Sequence, residues 1–458
     1  MNHHEELVES VRTALKEGES NQSIGRRSFL KSSIALAAAA LPLEFLSKGG
    51  IFPQAFAATN PYGPLSNTVD GSTGRTYLKL PQGFSYFSYG AAGSKMDDGR
   101  TTPGSHDGMG VCRVEDDMIY LVRNHEVRSQ SGAYAGTGFQ PTYDSRASGG
   151  TTTLRFDALR ERWDGSHASL AGTITNCAGG VTPWGSWLSC EEETTKYRLN
   201  HGYVFEVPTD GTAATAKPIV EMGRFMHEAA AVVNNPDSAE HGWVYMTEDR
   251  GSDTSAGFYR FRPNTYGNLA AGGSLQMLKI KGIKATVVMH RQTAKQWDVE
   301  WVTIPNPQNT GVFGRGKNLG GATFRKLEGA WYGRAEHALW FVSSSTGSKG
   351  IGRIYKLDIA QQRLHMVYEA TNAGVMEFPD NLTVTTDGSV LVCEDRWGRN
   401  PRLHMMSADG LNVFPLVEHN GSSTEFAGAT FHGKWLFLNS LSPGLTFAIT
   451  GPWQNGTL

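Results

Sequence analysis

The sequence has little of what would mark several common classes of protein. Its 42 Lys and Arg stand against 44 Asp and Glu, a formal net charge of −2, and with both signs interspersed no basic patch is left for a nucleic-acid backbone. No Gly-x-Ser-x-Gly elbow, Walker loop or dinucleotide fingerprint occurs, which weighs against nucleophilic-serine, NTPase and nicotinamide chemistry. Cysteine is scarce: Cys112, Cys177, Cys190 and Cys393 suffice for pairing in an oxidising compartment. Long helical periodicity is nearly missing after residue 60, whereas 54 glycines and many short β-branched or aromatic runs are present, the signature of an all-β protein. No Pro/Ser-rich linker or charge run divides the chain beyond its N-terminal segment, which favours one large repeat architecture.

That N-terminal segment reads as an export signal. Gly25 to Lys31 is G-R-R-S-F-L-K, followed by an alanine-rich apolar run from Ile34 to Leu41 that Pro42 and Glu44 interrupt. The run is shorter than the roughly 20 apolar residues a membrane span needs, so no anchor is expected. Twin arginines direct bacterial export, and Ala55-Phe56-Ala57 offers a small-x-small cleavage pattern. The expectation is a signal over 1–57 that engages the twin-arginine (Tat) export machinery. A single mature domain over 58–458 is then periplasmic or secreted, with no membrane contact.

Six apolar runs end in polar or acidic residues: Ile119 to Glu126, Trp187 to Glu193, Trp243 to Asp249, Leu339 to Ser345, Val390 to Asp395 and Trp435 to Ser440. A second strand follows each, at Thr151 to Asp157, Gly202 to Val207, Gly257 to Arg262, Gly352 to Asp358, Arg402 to Met406 and Gly444 to Thr450. An earlier short strand begins at a polar cluster before five of the runs: His106-Asp107, His227-Glu228, Glu328-Gly329, Pro379-Asp380-Asn381 and Glu425. Before the remaining one stands Thr182-Pro183-Trp184-Gly185, without an acid. Antiparallel units repeated in this way close into a six-bladed β-propeller with no long free edge. A two-sheet sandwich would also show alternating strands, but it would not explain why acids recur at matching positions.

In such blades the start of one strand and the end of its antiparallel neighbour lie together, so the polar clusters should meet at one mouth of the channel. The convergent set is Asp107, Glu126, Glu191, Glu192, Glu228, Glu248, Asp249, Glu328, Asp380, Glu394, Asp395 and Glu425. Like charges this close would keep some carboxyls protonated unless cations are bound. Carboxylate oxygens suit Ca²⁺ or Mg²⁺, and a nearby thiolate or imidazole admits iron or zinc. Cys177 and Cys190 are open between ligand and structural roles, Cys112 and Cys393 read as buried apolar residues, and His125 and His227 as supporting or exposed side chains. For an anionic substrate, Arg325 offers a fork and Asn124 a hydrogen-bond donor.

At these residues the chain resembles the PhoX alkaline phosphatase family. The resemblance is carried by the twin arginines, Asn124-His-Glu126, Asn176 to Glu192, Thr247-Glu-Asp249, Arg325 with Glu328, Phe378 to Leu382 with Cys393-Glu-Asp395, and Glu425 to Gly428. It implies an exported, monomeric phosphomonoesterase using Fe³⁺ together with Ca²⁺. Metals would be held by Cys190 or Cys177 with Glu191, Glu192, Glu228, Glu248, Glu328 and Asp380, joined by Glu126 and Glu394 from the acidic set. Arg325 and Asn124 would contact the phosphate of a small phosphoester, and a metal-bound oxide or hydroxide would attack phosphorus. Two rival readings are a calcium-dependent propeller hydrolase of another ester class, lactonase or phytase-like, and a propeller that only binds a ligand.

Overall fold

Five of the six apolar runs form strands buried on both faces, as expected of a strand with neighbours on either side of its sheet. Ser186–Glu191, Val244–Glu248, Ala338–Ser343, Val390–Glu394 and Trp435–Ser440 are buried at every residue. An outer strand such as Arg363–Glu369 instead alternates buried with half-exposed residues, the period of two that one solvated face imposes. The computed structural model describes residues 56–250, 256–396, 398–421 and 425–456, so the twin-arginine segment lies outside the described residues. Ala55–Leu458 form one compact unit, and no described helix is long and apolar enough to cross a membrane.

The strands pair as antiparallel groups in chain order. The first runs His106–Glu115, Met118–His125, Gly149–Asp157, Arg162–Thr173, and the second Asn176–Val181, Ser186–Glu191, Val204–Pro208. His227–Val232, Val244–Glu248, Phe258–Pro263 and Gly273–Ile280 make the third. Leu327–Gly333, Ala338–Ser343, Arg353–Asp358 and Arg363–Glu369 make the fourth; Gln296–Thr303 bridges these two. Pro379–Val384, Val390–Glu394, Arg402–Met406 and Asn412–His419 form the fifth. In the last, Phe426–His432, Trp435–Ser440 and Leu445–Thr450 are completed by Ser85–Tyr89, a strand that precedes the first group in the sequence. The fold is β-propeller-like.

The first strand of every group packs against the first strands of the groups on either side, and the series closes from Phe426–His432 back onto His106–Glu115. These inner strands approach too closely for side chains at some positions. A Cβ on Gly108 would lie 2.5 Å from Ala178 Cα, and one on Gly329 2.8 Å from Asn381 Cα. One placement differs from the sequence expectation: the inner strand of the second group is Asn176–Val181, and Thr182 to Gly185 form the turn after it. The polar residue at its start is therefore Cys177. The outer strands Arg162–Thr173, Gly273–Ile280, Arg363–Glu369 and Asn412–His419 were not among those read from the sequence.

Candidate active site

A hydrogen bond repeated in every group builds the site. The carbonyl just before the inner strand accepts from the N–H of the residue that leaves the second strand: Ser105 from Glu126 (2.9 Å), Thr175 from Glu192 (2.9 Å), Met226 from Asp249 (3.2 Å), Lys326 from Ser344 (2.9 Å), Phe378 from Asp395 (3.0 Å) and Glu425 from Leu441 (3.2 Å). Ser105, Thr175, Lys326 and Phe378 hold left-handed φ values of 49°, 47°, 44° and 45°, a conformation uncommon outside glycine and concentrated at functional sites. Two residues further on stand Asp107, Cys177, Glu228, Glu328 and Asp380, and the pairing register slips within or beside the start of the strand in each group. A bulge re-aims a side chain that regular pleating would send between the sheets.

The result is a continuous acidic chain. Asp107, Glu126 and Cys177 offer ligand atoms within 4.8 Å of one another; so do Cys177, Glu192 and Glu228; then Glu228, Glu328 and Asp380; then Asp380, Asp395 and Glu425. Burial raises the pKa of Asp107, Glu192, Glu228, Glu328 and Glu425 well above the carboxylate range, and their acidic neighbours add to the effect. Burial also pushes Asp380 up to about 7 and lifts the Cys177 thiol, with Asp107 and Glu228 contributing. Two cations reach in: Lys326 pairs with Glu328 and lies 3.8 Å from Asp249, and Arg128 pairs with Glu126 and, at 3.2 Å, with Glu192.

The donor set fits metal ions. Both carboxylate oxygens of Glu228, Asp107 Oδ2 and Asp395 Oδ1 are buried and meet no hydrogen-bond donor. Burying an ionised carboxylate without a partner is strongly unfavourable, and a bound cation is the partner that several converging carboxylates can share. Carboxylates alone suit a hard ion, while the thiol of Cys177 adds a soft ligand at one end of the chain.

Of the residues expected in the site, Cys177, Glu126, Glu192, Glu228, Glu328 and Asp380 are brought together. Glu191, Glu248 and Glu394, each one residue earlier than a site acid, turn into their own sheets. Glu191 accepts from Gly202 N (2.9 Å) and Ile174 N (3.1 Å) and meets His201 Nδ1 at 2.6 Å. Glu248 accepts from Tyr259 OH (2.6 Å) and Gly257 N (3.0 Å). Arg402 grips Glu394 through Nε (2.8 Å) and Nη2 (2.9 Å). Cys190 belongs to an apolar core cluster with Leu188, Val204 and Phe225, because its place in the strand aims it at the third group.

Asn124 is sealed and fully used: its Nδ2 donates to the carbonyls of Cys177 (2.9 Å) and Ala178 (2.7 Å), and its Oδ1 accepts from Trp187 Nε1 (3.0 Å) and Ser189 Oγ (2.8 Å). Arg325 stands beside Lys326 with a buried Nε that meets no acceptor. His125 and His227 are buried and bonded to the fold, His125 Nδ1 to Gly104 O (2.9 Å) and His227 Nε2 to Gly223 O (3.0 Å). All four cysteines are free thiols, and Cys112 and Cys393 are buried. Sequence reasoning missed Lys326 and Arg128. Lys326 holds the same place in its group as Glu425, a signal readable only once the groups are aligned.

A β-propeller-like fold whose strand ends converge on one shared set of carboxylates and a thiol has the ligand groups of a metal-binding propeller protein. The family model for alkaline phosphatase PhoX matches residues 60–166 and 155–444, and the chain belongs to that family. It is thus a phosphoric monoester hydrolase of the alkaline phosphatase type. Pseudomonas fluorescens PhoX in complex with vanadate, a transition state analogue, has this fold: TM-score 0.63 at 14% identity, over 88% of this chain and 99% of that one. XC5397 from Xanthomonas campestris, a gluconolactonase, aligns at TM-score 0.38 and 12% identity, over 76% of this chain and 97% of its own. Regucalcin, a calcium-binding protein from Agrobacterium tumefaciens, aligns at 0.40 and 10%, over 79% and 96%. No curated protein matches the chain.

Proposed function

We propose that this chain is an exported phosphomonoesterase built as a six-bladed propeller, with Fe³⁺ held at the Cys177 end of the acidic chain and Ca²⁺ at the all-oxygen end. The observation that carries this reading is Glu228, a fully buried carboxylate with no hydrogen-bond donor, shared between the group that contains Cys177 and the group that contains Glu328 and Asp380. Asp107, Glu126, Cys177, Glu192 and Glu228 would hold the iron; Glu328, Asp380, Asp395 and Glu425 the calcium. Such ions, when bound, supply Lewis acidity at phosphoryl oxygens and make water a usable nucleophile at neutral pH.

The protein's own side chains do the rest. Arg325, which has no carboxylate partner among the described residues, takes two phosphate oxygens on its fork. Lys326 and Arg128 offset the charge of the ring where a dianionic ester must approach. Asn124 acts at one remove: by tying the carbonyls of Cys177 and Ala178, in the second group, to the first group's strand it fixes the backbone that carries the thiol. Arg26 and Arg27 direct export of the folded, loaded protein to the periplasm or beyond.

Elemental analysis of protein recovered from its own export route, together with hydrolysis of p-nitrophenyl phosphate, tests the proposal. Retained iron and calcium with turnover lost on chelation are expected. Metal-replete protein that leaves phosphomonoesters intact would sink it, and export that survives replacement of Arg26 and Arg27 by lysine would sink the localisation.

A further inference from the structure

Arg123 lies in the second strand of the first group, Met118–His125, and its side chain is sealed from solvent at 0% exposure. Its Nη1 donates to Thr446 Oγ1 (2.8 Å) and meets His106 Nδ1 at 3.2 Å, both uncharged partners. Its Nε and Nη2, which together form the other edge of the guanidinium, meet no acceptor. No carboxylate pairs with it among the described residues.

Two further arginines are buried among the described residues, and both use that edge on a carboxylate. Arg402 donates from Nε to Glu394 Oε2 (2.8 Å) and from Nη2 to Oε1 (2.9 Å). Arg353 approaches Glu369 Oε2 with Nε and Nη2, both at 2.9 Å. Arg123, more deeply buried than either, is the exception.

The groups around it are already engaged. His106 Nε2 bonds Pro103 O (3.0 Å), while His125 bonds Gly104 O through Nδ1 and Thr152 Oγ1 through Nε2, each at 2.9 Å. His106, accepting from Arg123 at Nδ1 and donating to a carbonyl at Nε2, holds a single ring proton and is neutral. Tyr134 donates to Thr151 O (2.5 Å), and the Tyr89 hydroxyl is engaged with Ser166 at 3.1 Å. On one flank Gly90 leaves no room for a side chain, since a Cβ there would sit 3.0 Å from Nη1. Burial pulls the guanidinium down only to about 9, so it stays charged at neutral pH. Withdrawing one such ion from water costs several kcal/mol even after relaxation, and a neutral water on that unpaired edge would not cancel the charge.

We infer that the Nε/Nη2 edge of Arg123 is a binding site for a small monovalent anion, chloride being the simplest, at the seam where the strand Ser85–Tyr89 closes the last strand group onto the first. The site is independent of the phosphatase reading and would be present in a protein with no activity. It makes closure of the ring of strands dependent on halide.

Two measurements on metal-loaded protein decide it. Crystals grown in sodium bromide should show an anomalous peak within hydrogen-bond distance of Arg123 Nε and Nη2. Replacing sodium methanesulfonate by sodium chloride at constant ionic strength should raise Tm along a saturable curve, as a ligand specific for the folded state must. In Arg123→Met that rise should vanish. No bromide peak, with the same Tm in the two salts, would overturn the inference in favour of a guanidinium that is merely hydrated. Should the variant fail to fold, the bromide map and the chloride titration of the wild-type protein still decide.

Discussion

Adjacent acids in this molecule live in opposite environments. Glu394 and Asp395 are neighbours in sequence. Glu394 is gripped by Arg402 and lies 3.1 Å from His404; Asp395 faces Asp380 and Glu425 with a buried oxygen that no donor meets. Glu191 and Glu248 are likewise braced within their own sheets, while Glu192 and Asp249 turn towards Arg128 and Lys326 at the ring. The second strand ends between the two, so the first acid still obeys the pleat and points into its own sheet, while the second is freed by the bond to the carbonyl before the inner strand. An acid pair at a strand end thus encodes one brace and one site residue.

The sharpest break of that comparison comes from two cysteines. If Cys177 is a metal ligand as proposed, Cys177→Ser should lower phosphatase activity and bound metal by more than the roughly 10–100-fold that loss of a ligand's supporting partner costs. Cys190→Ser places a hydroxyl in an apolar core and should cost about 1–3 kcal/mol of stability with metal content and kcat retained. Paired elemental analysis, turnover and urea unfolding would check both. Equal loss of metal in the two variants would mean that Cys190 reaches the site after all.

How far the site was legible follows from the same geometry. The apolar runs were readable because strands covered on both faces are largely apolar, as Trp435 to Leu438 is throughout, and because each is short and bounded by turn residues. Outer strands such as Arg363–Glu369, half polar and solvated, carry too weak a pattern. Convergence of the acids was legible from their recurrence, but which member of a pair turns inward was not, because Glu191 and Glu192 are identical in composition and differ only in where pairing stops. The bulges were hidden too: Asp107, Cys177 and Asp380 reach the site through left-handed residues Ser105, Thr175 and Phe378, none of them a glycine that would have announced the turn.

Glu394→Ala and Asp395→Asn test the split directly. Removing Glu394 strands a buried guanidinium and should cost about 3–5 kcal/mol, with activity per folded molecule little changed. Asp395→Asn relieves repulsion, so the metal-free protein should be no less stable than wild type while the metal content of the loaded protein falls. Chemical denaturation and elemental analysis separate the outcomes, and a destabilised Asp395→Asn apoprotein would contradict the assignment.

The brace acids also differ among themselves in pH response. Burial alone would raise Glu394, but His404 and Arg402 hold it at about 2. A carboxyl depressed in the folded state contributes stability above its unfolded value of about 4.5, and that contribution is lost as pH falls towards 2. Glu248 has only neutral hydrogen-bond donors, and burial pushes it up to about 7. Its contribution is full below about 4.5 and is lost as pH rises through 7. Stability profiles of Glu248→Gln and Glu394→Gln should therefore diverge from wild type with opposite slopes, in windows that meet near pH 4.5. Parallel profiles would show that the two carboxylates do not differ in this way.

The smallest effect separates support from substrate contact. Asn124 is buried with all its amide bonds made inside the protein, whereas Arg325 has a guanidinium without a partner for its buried Nε. Truncating Asn124 to alanine strands the Trp187 indole N–H and the carbonyls of Cys177 and Ala178, each orphaned buried group being worth about 1–3 kcal/mol at most. A lower Tm with an unchanged KM for p-nitrophenyl phosphate is the expected outcome, and Arg325→Ala should show the reverse. If Asn124→Ala instead raised KM at constant Tm, its amide would have to leave the Cys177 carbonyl during turnover. The inner strand of the second group would then be a moving part, because nothing else among the described contacts of Asn124 reaches the ring.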